Sequence, residues 1–306
     1  MALPDQLRNH SVHGYNLAKT LRKWQHVERT CDVLEIWAGV GSVASAARKL
    51  SLSAREIELH RVPGTTDDPT NKETEDLMSE RGVANALEAL MSMKPGGLVM
   101  MGPVCSSMVF MNSSRCCRTH DNVWGDETYA PVQEGNHFAN CMVLFLMVSD
   151  ARGLHAVCEQ PKGSVLWKLP PVRLALDHLQ LTSTLTPRCA FDRKPFGQRF
   201  LKVFKLYGPS WILNMCRTCR CPNGKHQALV KTSADGSVTG IHDALAESGA
   251  YPKAMGHALV RSWLKGLGAA APLLNQKGQK RKASSEPAVM KKPAAGSGWK
   301  QPPLSL

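Results

Sequence analysis

The stretch Asp32-Val33-Leu34-Glu35-Ile36-Trp37-Ala38-Gly39-Val40-Gly41-Ser42 decides how this chain is read. Its first six residues, with Val33, Leu34, Ile36 and Trp37 apolar, read as a strand. The small residues Ala38 to Gly41 turn the chain, and Ser42 to Leu50 (SVASAARKL) reads as a helix with a small-residue face. A strand ending in A-G-x-G brings backbone close to a ligand with no Cβ in the way. The helix behind it offers free N–H groups and the positive end of its dipole. Dinucleotides and S-adenosylmethionine are both held at such turns. A tight strand-to-helix turn without a ligand gives the same pattern, because Ala44 stands where the third glycine of G-x-G-x-x-G would be.

Working outward, strands and helices alternate. Ile57-Glu58-Leu59 suggests a second strand, Glu75 to Met93 a helix, and Leu98 to Met101 a buried strand. Pro95-Gly96-Gly97 reads as the stop of that helix. Asn136 to Ala151 is a further helix and Leu154 to Cys158 a further strand. This alternation predicts a parallel α/β sheet. After Pro170 the segments shorten, among them Thr182–Leu185 and Lys202–Tyr207. Residues 252–267 close the ordered part as a helix, and Gly14 to Arg29 has the apolar spacing of a leading helix.

Two more strand ends carry chemistry. Gly102-Pro103-Val104-Cys105 follows the strand 98–101 and places a thiol at a carboxyl end, where open α/β sheets bind ligands. A thiol there is set for nucleophilic attack or is simply a small buried hydrophobe. Glu159-Gln160-Pro161 puts an acid at the next strand end. The segment Arg115-Cys116-Cys117-Arg118 reads as a flexible basic flap, and the methionines around Cys105 read as core.

The composition bounds the partners. The chain has 306 residues, a mass of 33.5 kDa and a net charge of +13, which favours polyanions, nucleic acid first. From Gly268 onward seven basic residues face one acid, so +6 of the +13 sits on a Pro-, Ala- and Lys-rich tail expected to be disordered. Lys277 with Lys280-Arg281-Lys282 reads as nuclear import or nucleic-acid contact. Met1 to His13 holds no signal-peptide core, and the longest apolar run, Met142 to Val148, is far below the ~20 residues of a membrane span. An intracellular protein with reduced cysteines is expected. Cys216-x2-Cys219-x-Cys221, with His226 after four intervening residues, is the candidate metal set, zinc by ligand type. The alternative is a reduced loop made basic by Arg217, Arg220 and Lys225.

Taken together these residues resemble the cytosine-C5 DNA methyltransferase family. Its first motif, D-L-F-A-G-x-G-G, is followed position by position by Glu35-Ile36-Trp37-Ala38-Gly39-Val40-Gly41-Ser42. Its G-P-P-C-Q is similar to Gly102-Pro103-Val104-Cys105-Ser106, and its E-N-V to Glu159-Gln160-Pro161. Gln198-Arg199-Phe200-Leu201-Lys202 echoes Q-x-R-x-R, and Met255 to Leu259 resembles the last motif, which packs beside the glycine turn. The likeness covers about residues 32–265.

The resemblance implies a Rossmann-like methyltransferase sheet with helices on both faces and a small C-terminal subdomain. The domains would be an N-terminal helix at 1–30, the methyltransferase domain at 31–165, a substrate-recognition subdomain at 166–250, the closing helix at 251–267 and the tail at 268–306. It implies Cys105 as nucleophile on cytosine C6 and Glu159 as the acid at N3 and the exocyclic amine. S-adenosylmethionine would lie among Glu35, Trp37, Ala38, Gly39, Gly41 and Pro103, with Trp37 against the sulfonium arm. Glu58 would meet the ribose hydroxyls and Asp76 the adenine amine. The implied partner is nucleic acid, DNA before RNA. A second reading keeps the fold as a nucleic-acid-binding module without catalysis, and a third keeps methyl transfer to another target with Cys105 structural.

Overall fold

Strand periodicity builds the centre of the molecule. In the computed structural model, residues 27–58, 75–109, 112–119, 121–234, 236 and 238–268 are described. The expected leading helix, apart from residues 27–30, and the expected tail beyond Gly268 lie outside them. So does all of the unit Ala269–Leu306.

Among the described residues eight strands form: β1 (Cys31–Ile36), β2 (Ala54–Ile57), β3 (Met93–Met101), β4 (His155–Pro161), β5 (Thr182–Pro187), β6 (Val203–Gly208), β7 (Val230–Thr232) and β8 (Val238–Gly240). The first six make one sheet in the order β2-β1-β3-β4-β6-β5, and β7 and β8 make a separate hairpin. β1 to β4 pair in parallel, whereas β6 runs antiparallel to both β4 and β5. The sheet is therefore mixed, which corrects the expectation of a parallel one. β6 runs back along β5, and the two pair antiparallel from Thr182 opposite Gly208 to Pro187 opposite Val203. The span 166–250 thus contributes two strands to the main sheet.

The helices are α1 (Ser42–Lys49), α2 (Glu80–Met91), α3 (Ala130–Ala151), α4 (Pro170–His178), α5 (His242–Gly249) and α6 (Lys253–Gly266), with a single turn at Ser113–Cys116. Side chains alternate along each central strand. Leu34, Ile36, Val99, Met101, Ala156 and Cys158 pack with α2, α3 and α4. Val33, Leu98, Met100 and Val157 point the other way, to α1, α6 and the 3-10 turn Ser210–Met215. Both faces of the sheet are covered, so the central strands read as continuous apolar runs. Each fully buried Leu or Met there stabilises the fold by about 1.5–3 kcal/mol.

One boundary departs from the sequence reading for a visible reason. α2 ends at Met91, and Pro95-Gly96-Gly97 lies inside β3 rather than ending the helix. The register slips there: Cys31 faces Met93 and Val33 faces Leu98, so a bulge absorbs the residues least suited to a ladder. Trp263 of α6 donates its indole N–H to the Gly96 carbonyl at 3.0 Å, which closes the bulge from outside. The same helix packs on α1, where a Cβ on Gly256 would stand 2.2 Å from the Ser42 carbonyl oxygen.

Candidate functional site

The turn after β1 is built from left-handed residues. Trp37, Gly39 and Gly41 have φ of 55°, 56° and 62°. Trp37 is the costly one, since a bulky side chain rarely adopts this conformation. Its ring is held from the core side by Phe138 and Phe145, with centroids 5.5 and 5.9 Å away. Ala38 donates its N–H to the Ile57 carbonyl at 3.2 Å and fixes the turn to the end of β2. Gly39 has open space where a side chain would stand, and its N–H donates to Glu58 Oε2 at 2.7 Å. Gly41 lies against the Glu56 carboxylate, which pairs with Arg48.

Glu35 caps α1 from within the protein. It is fully buried, and its Oε2 accepts from the N–H groups of Val43 at 3.0 Å and Ala44 at 2.8 Å. The free donors expected at the start of this helix are therefore engaged at those two positions. Burial pushes the Glu35 carboxyl up to about 8, because its other oxygen has no partner and the backbone N–H groups only partly offset desolvation. Asp76 sits before α2, where its Oδ1 accepts from the Met78 N–H at 2.9 Å and its carbonyl accepts from Ser79.

The loop after β3 is strapped to its neighbours. Gly102 donates to the Ile36 carbonyl at 3.3 Å, and the Gln160 side-chain amide donates to the Pro103 carbonyl. Ser164 in turn holds Gln160 Oε1 at 3.0 Å. Gln160 therefore uses its amide to aim the loop that carries Cys105. Cys105 is partly buried and precedes the 3-10 turn Ser106–Met108, whose last N–H returns to its carbonyl at 2.9 Å. Burial pushes the thiol up; the Lys202 ammonium opposes that and the Glu159 charge adds to it.

Glu159 is 5% exposed, and one of its oxygens, Oε1, is buried without a partner. Its Oε2 accepts from the Tyr251 hydroxyl. Burial pushes this carboxyl up to about 7, against the pull of Lys202 and the Tyr251 hydrogen bond. Burial and the adjacent Glu159 push the Tyr251 hydroxyl well above its ordinary range, so it stays a donor. The approach needs Gly102, where a Cβ would stand 2.1 Å from the Tyr251 hydroxyl. Tyr251 also accepts from Ser42 Oγ at 2.7 Å through its carbonyl, so one residue spans the glycine turn and the acid.

Sequence reasoning missed Tyr251 and did not give Lys202 a role. Lys202 stands at the second basic position of the Q-x-R-x-R echo, which was the signal available for it. Tyr251 had none, being a lone aromatic before a helix. Arg118 also differs from its reading as part of a flexible flap. It is buried, and its guanidinium donates to the Val123, Trp124 and Val132 carbonyls and to Asn136 Oδ1. Cys116 beside it is buried as well.

A second group gathers around Cys189, just after β5. Cys189, Cys219, Cys221 and His226 bring their ligand atoms within 4.8 Å of one another, a possible metal-binding group. Cys216 is exposed and outside it, which corrects the expected set of Cys216, Cys219, Cys221 and His226. The 3-10 turn Ser210–Met215 ends just before Cys216, where the backbone is extended. All ten cysteines are free thiols. Among the described residues no helix is long and apolar enough to cross a membrane.

No family model matches the chain, and no curated protein matches it.

Proposed function

We propose that the chain is an S-adenosylmethionine-dependent methyltransferase with a Rossmann-like fold, acting on C5 of cytosine in nucleic acid through Cys105. The observation that carries this reading is the convergence of the glycine turn, Cys105 and Glu159 at the ends of three adjacent parallel strands, with Lys202 acting on both side chains. Open space beside Gly39 supports room for the cofactor at this turn, and the unpartnered oxygen of Glu159 supports its role toward the base. Gly39, Gly41, Glu58 and Asp76 would hold it, with Trp37 bracing the turn from the core side. When bound, S-adenosylmethionine supplies an electrophilic methyl group.

The protein's own residues then have defined tasks. The Cys105 sulfur adds to C6 of a cytosine taken out of its stack. Glu159, its carboxyl pushed by burial up to about 7, gives N3 a proton as charge develops there. Lys202 favours the thiolate over the thiol. Tyr251 holds the carboxyl in place and occupies the oxygen that does not face the base. Once C5 carries the methyl group that the cofactor would supply, the C5 proton leaves to solvent, the sulfur departs from C6 as thiolate, and N3 returns its proton to Glu159, which restores both residues. The donor set of the second group, three thiols and an imidazole, suits zinc.

One observation favours the binding-only reading: burial raises the Cys105 thiol, which lowers its thiolate fraction. The deciding experiment is incubation with oligonucleotides containing 5-fluorocytosine together with S-adenosylmethionine. A covalent adduct lost in Cys105→Ser supports methyl transfer. Saturable nucleic-acid binding with no adduct and no calorimetric binding of S-adenosylmethionine supports the binding module. Gly41→Leu is expected to abolish cofactor binding, and unchanged affinity in that variant would move the cofactor elsewhere.

A further inference from the structure

We infer that Cys189, Cys219, Cys221 and His226 form a tetrahedral zinc site that staples the loop 216–227 to the turn after β5. The ligands come from two places. Cys189 lies in the 3-10 turn Arg188–Ala190, buried at the end of β5, and the other three lie thirty and more residues further on. No local spacing links Cys189 to the other three, and only the fold brings it to them.

The geometry is close to what zinc requires. Around a tetrahedral ion with Zn–S of about 2.3 Å and Zn–N of about 2.0 Å, ligand atoms stand about 3.5–3.8 Å apart. Cys219 Sγ and His226 Nε2 are 3.3 Å apart, and no pair in the group exceeds 4.8 Å. Contraction of about 1 Å in the widest pair completes the coordination sphere.

The imidazole is already set for the metal. His226 Nδ1 lies 2.7 Å from the Gly224 carbonyl oxygen. A carbonyl can only accept, so Nδ1 carries the proton and Nε2 presents its lone pair toward Cys219. A metal-bound histidine is oriented by this kind of outer hydrogen bond. The Cys221 N–H donates to Cys219 Sγ at 3.4 Å, a backbone donor that favours the thiolate a metal needs. The turn between ligands closes through Asn223 and Gly224, both in the left-handed region with φ of 53° and 63°. The C-x-C spacing, poor for a local knuckle, fits a site whose remaining thiolate comes from elsewhere.

The staple also has a place in the architecture. Arg188, next to Cys189, donates its N–H to the Lys202 carbonyl at 2.7 Å, and its guanidinium pairs with Asp192 and reaches the Ala250 carbonyl. Lys202 and Tyr251, which follows Ala250, are the residues that act on Glu159. A metal at Cys189 therefore anchors the turn from which both are held.

The test uses the full chain purified under reducing conditions from zinc-supplemented culture. Mass spectrometry of metals is expected to find one zinc per chain, retained on dialysis. Cys216→Ser is expected to keep it, whereas Cys189→Ser and His226→Ala are expected to weaken affinity by at least about 100-fold, since loss of an outer hydrogen-bond partner alone costs 10–100-fold. Titration with Co2+ reads the ligands directly: intense visible d–d bands report tetrahedral geometry, and the thiolate-to-cobalt charge-transfer band grows with the number of sulfurs. The same three-thiolate spectrum in wild type and Cys216→Ser assigns the third sulfur to Cys189, even if Cys189→Ser does not fold. Absence of bound metal, weak octahedral bands, or a sulfur lost in Cys216→Ser would overturn the site.

Discussion

The Tyr251 hydroxyl donates a hydrogen bond to Oε2 of the buried Glu159 carboxyl, joining the segment that leads into α6 to the last residues of β4. This bond favours the charged form of Glu159. Tyr251→Phe is therefore expected to raise the Glu159 pKa above about 7 and to cost about 1–3 kcal/mol, because a buried oxygen loses its partner. Urea unfolding checks the cost. The pH dependence of Cys105 alkylation checks the shift, since Cys105 senses the Glu159 charge.

Cys105 itself is expected to alkylate slowly at pH 8, well after the exposed Cys216 and Cys117. The neighbouring charges give the variants opposite signs. Glu159→Gln removes a negative charge and is expected to speed the reaction, while Lys202→Met removes the opposing positive charge and is expected to slow it. Changes of roughly threefold or more correspond to half a pKa unit. Peptide mapping with iodoacetamide resolves the site, and equal rates in the two variants would separate Lys202 and Glu159 from the thiol.

Stability is expected to fall as pH rises from about 4.5 to 8. Glu35 and Glu159 have folded values of about 8 and about 7, above the ordinary carboxyl range. Below that range both states hold the protons and burial costs nothing. As pH rises, the unfolded chain releases them first, and the loss is complete once pH passes the folded values. Glu35→Gln, whose amide oxygen can still accept from Val43 and Ala44, is expected to flatten much of this slope, by on the order of a few kcal/mol across the range. Thermal melts at several pH values show it, and an unchanged slope would refute the protonated reading of Glu35.

Gly102→Ala is expected to destabilise by about 1–3 kcal/mol through overpacking against the Tyr251 hydroxyl. Removing that hydroxyl relieves the contact, so the same change in a Tyr251→Phe background is expected to cost clearly less. A double-mutant cycle measures the coupling, and strict additivity would show that the two do not meet. Gly256→Ala offers no such relief, because its clash is with Ser42 backbone.

The fold was legible where period and punctuation agreed. The run Asp32 to Ile36, the glycine turn and the helix after it stand within a residue of their expected bounds, because an apolar run ended by left-handed glycines has few other solutions. Pro95-Gly96-Gly97 misled because a bulge and a helix stop use the same residues. Which strand ends carry the thiol and the acid could be read from order alone, since parallel strands open their ends to one rim. Tyr251 and Cys189 could not: each acts through a partner 92 or at least 30 residues away, and a single aromatic or cysteine has no pattern of its own. The capping role of Glu35 was hidden for the converse reason. A short-range contact was masked by a motif that reads equally well as a ligand cradle.

The reversed direction of β6 has a topological consequence. A parallel strand reaches the functional rim at its end, through its last residues and the loop that follows it. β6 arrives at that rim at its beginning, so Lys202, the residue just before it, is already in place when the strand starts. The one inverted strand thus doubles as a delivery route running the opposite way. It brings a cation opposite Cys105 and Glu159 from a part of the chain that can lengthen or shorten, between β5 and β6, without disturbing any of the strands that carry the thiol and the acid.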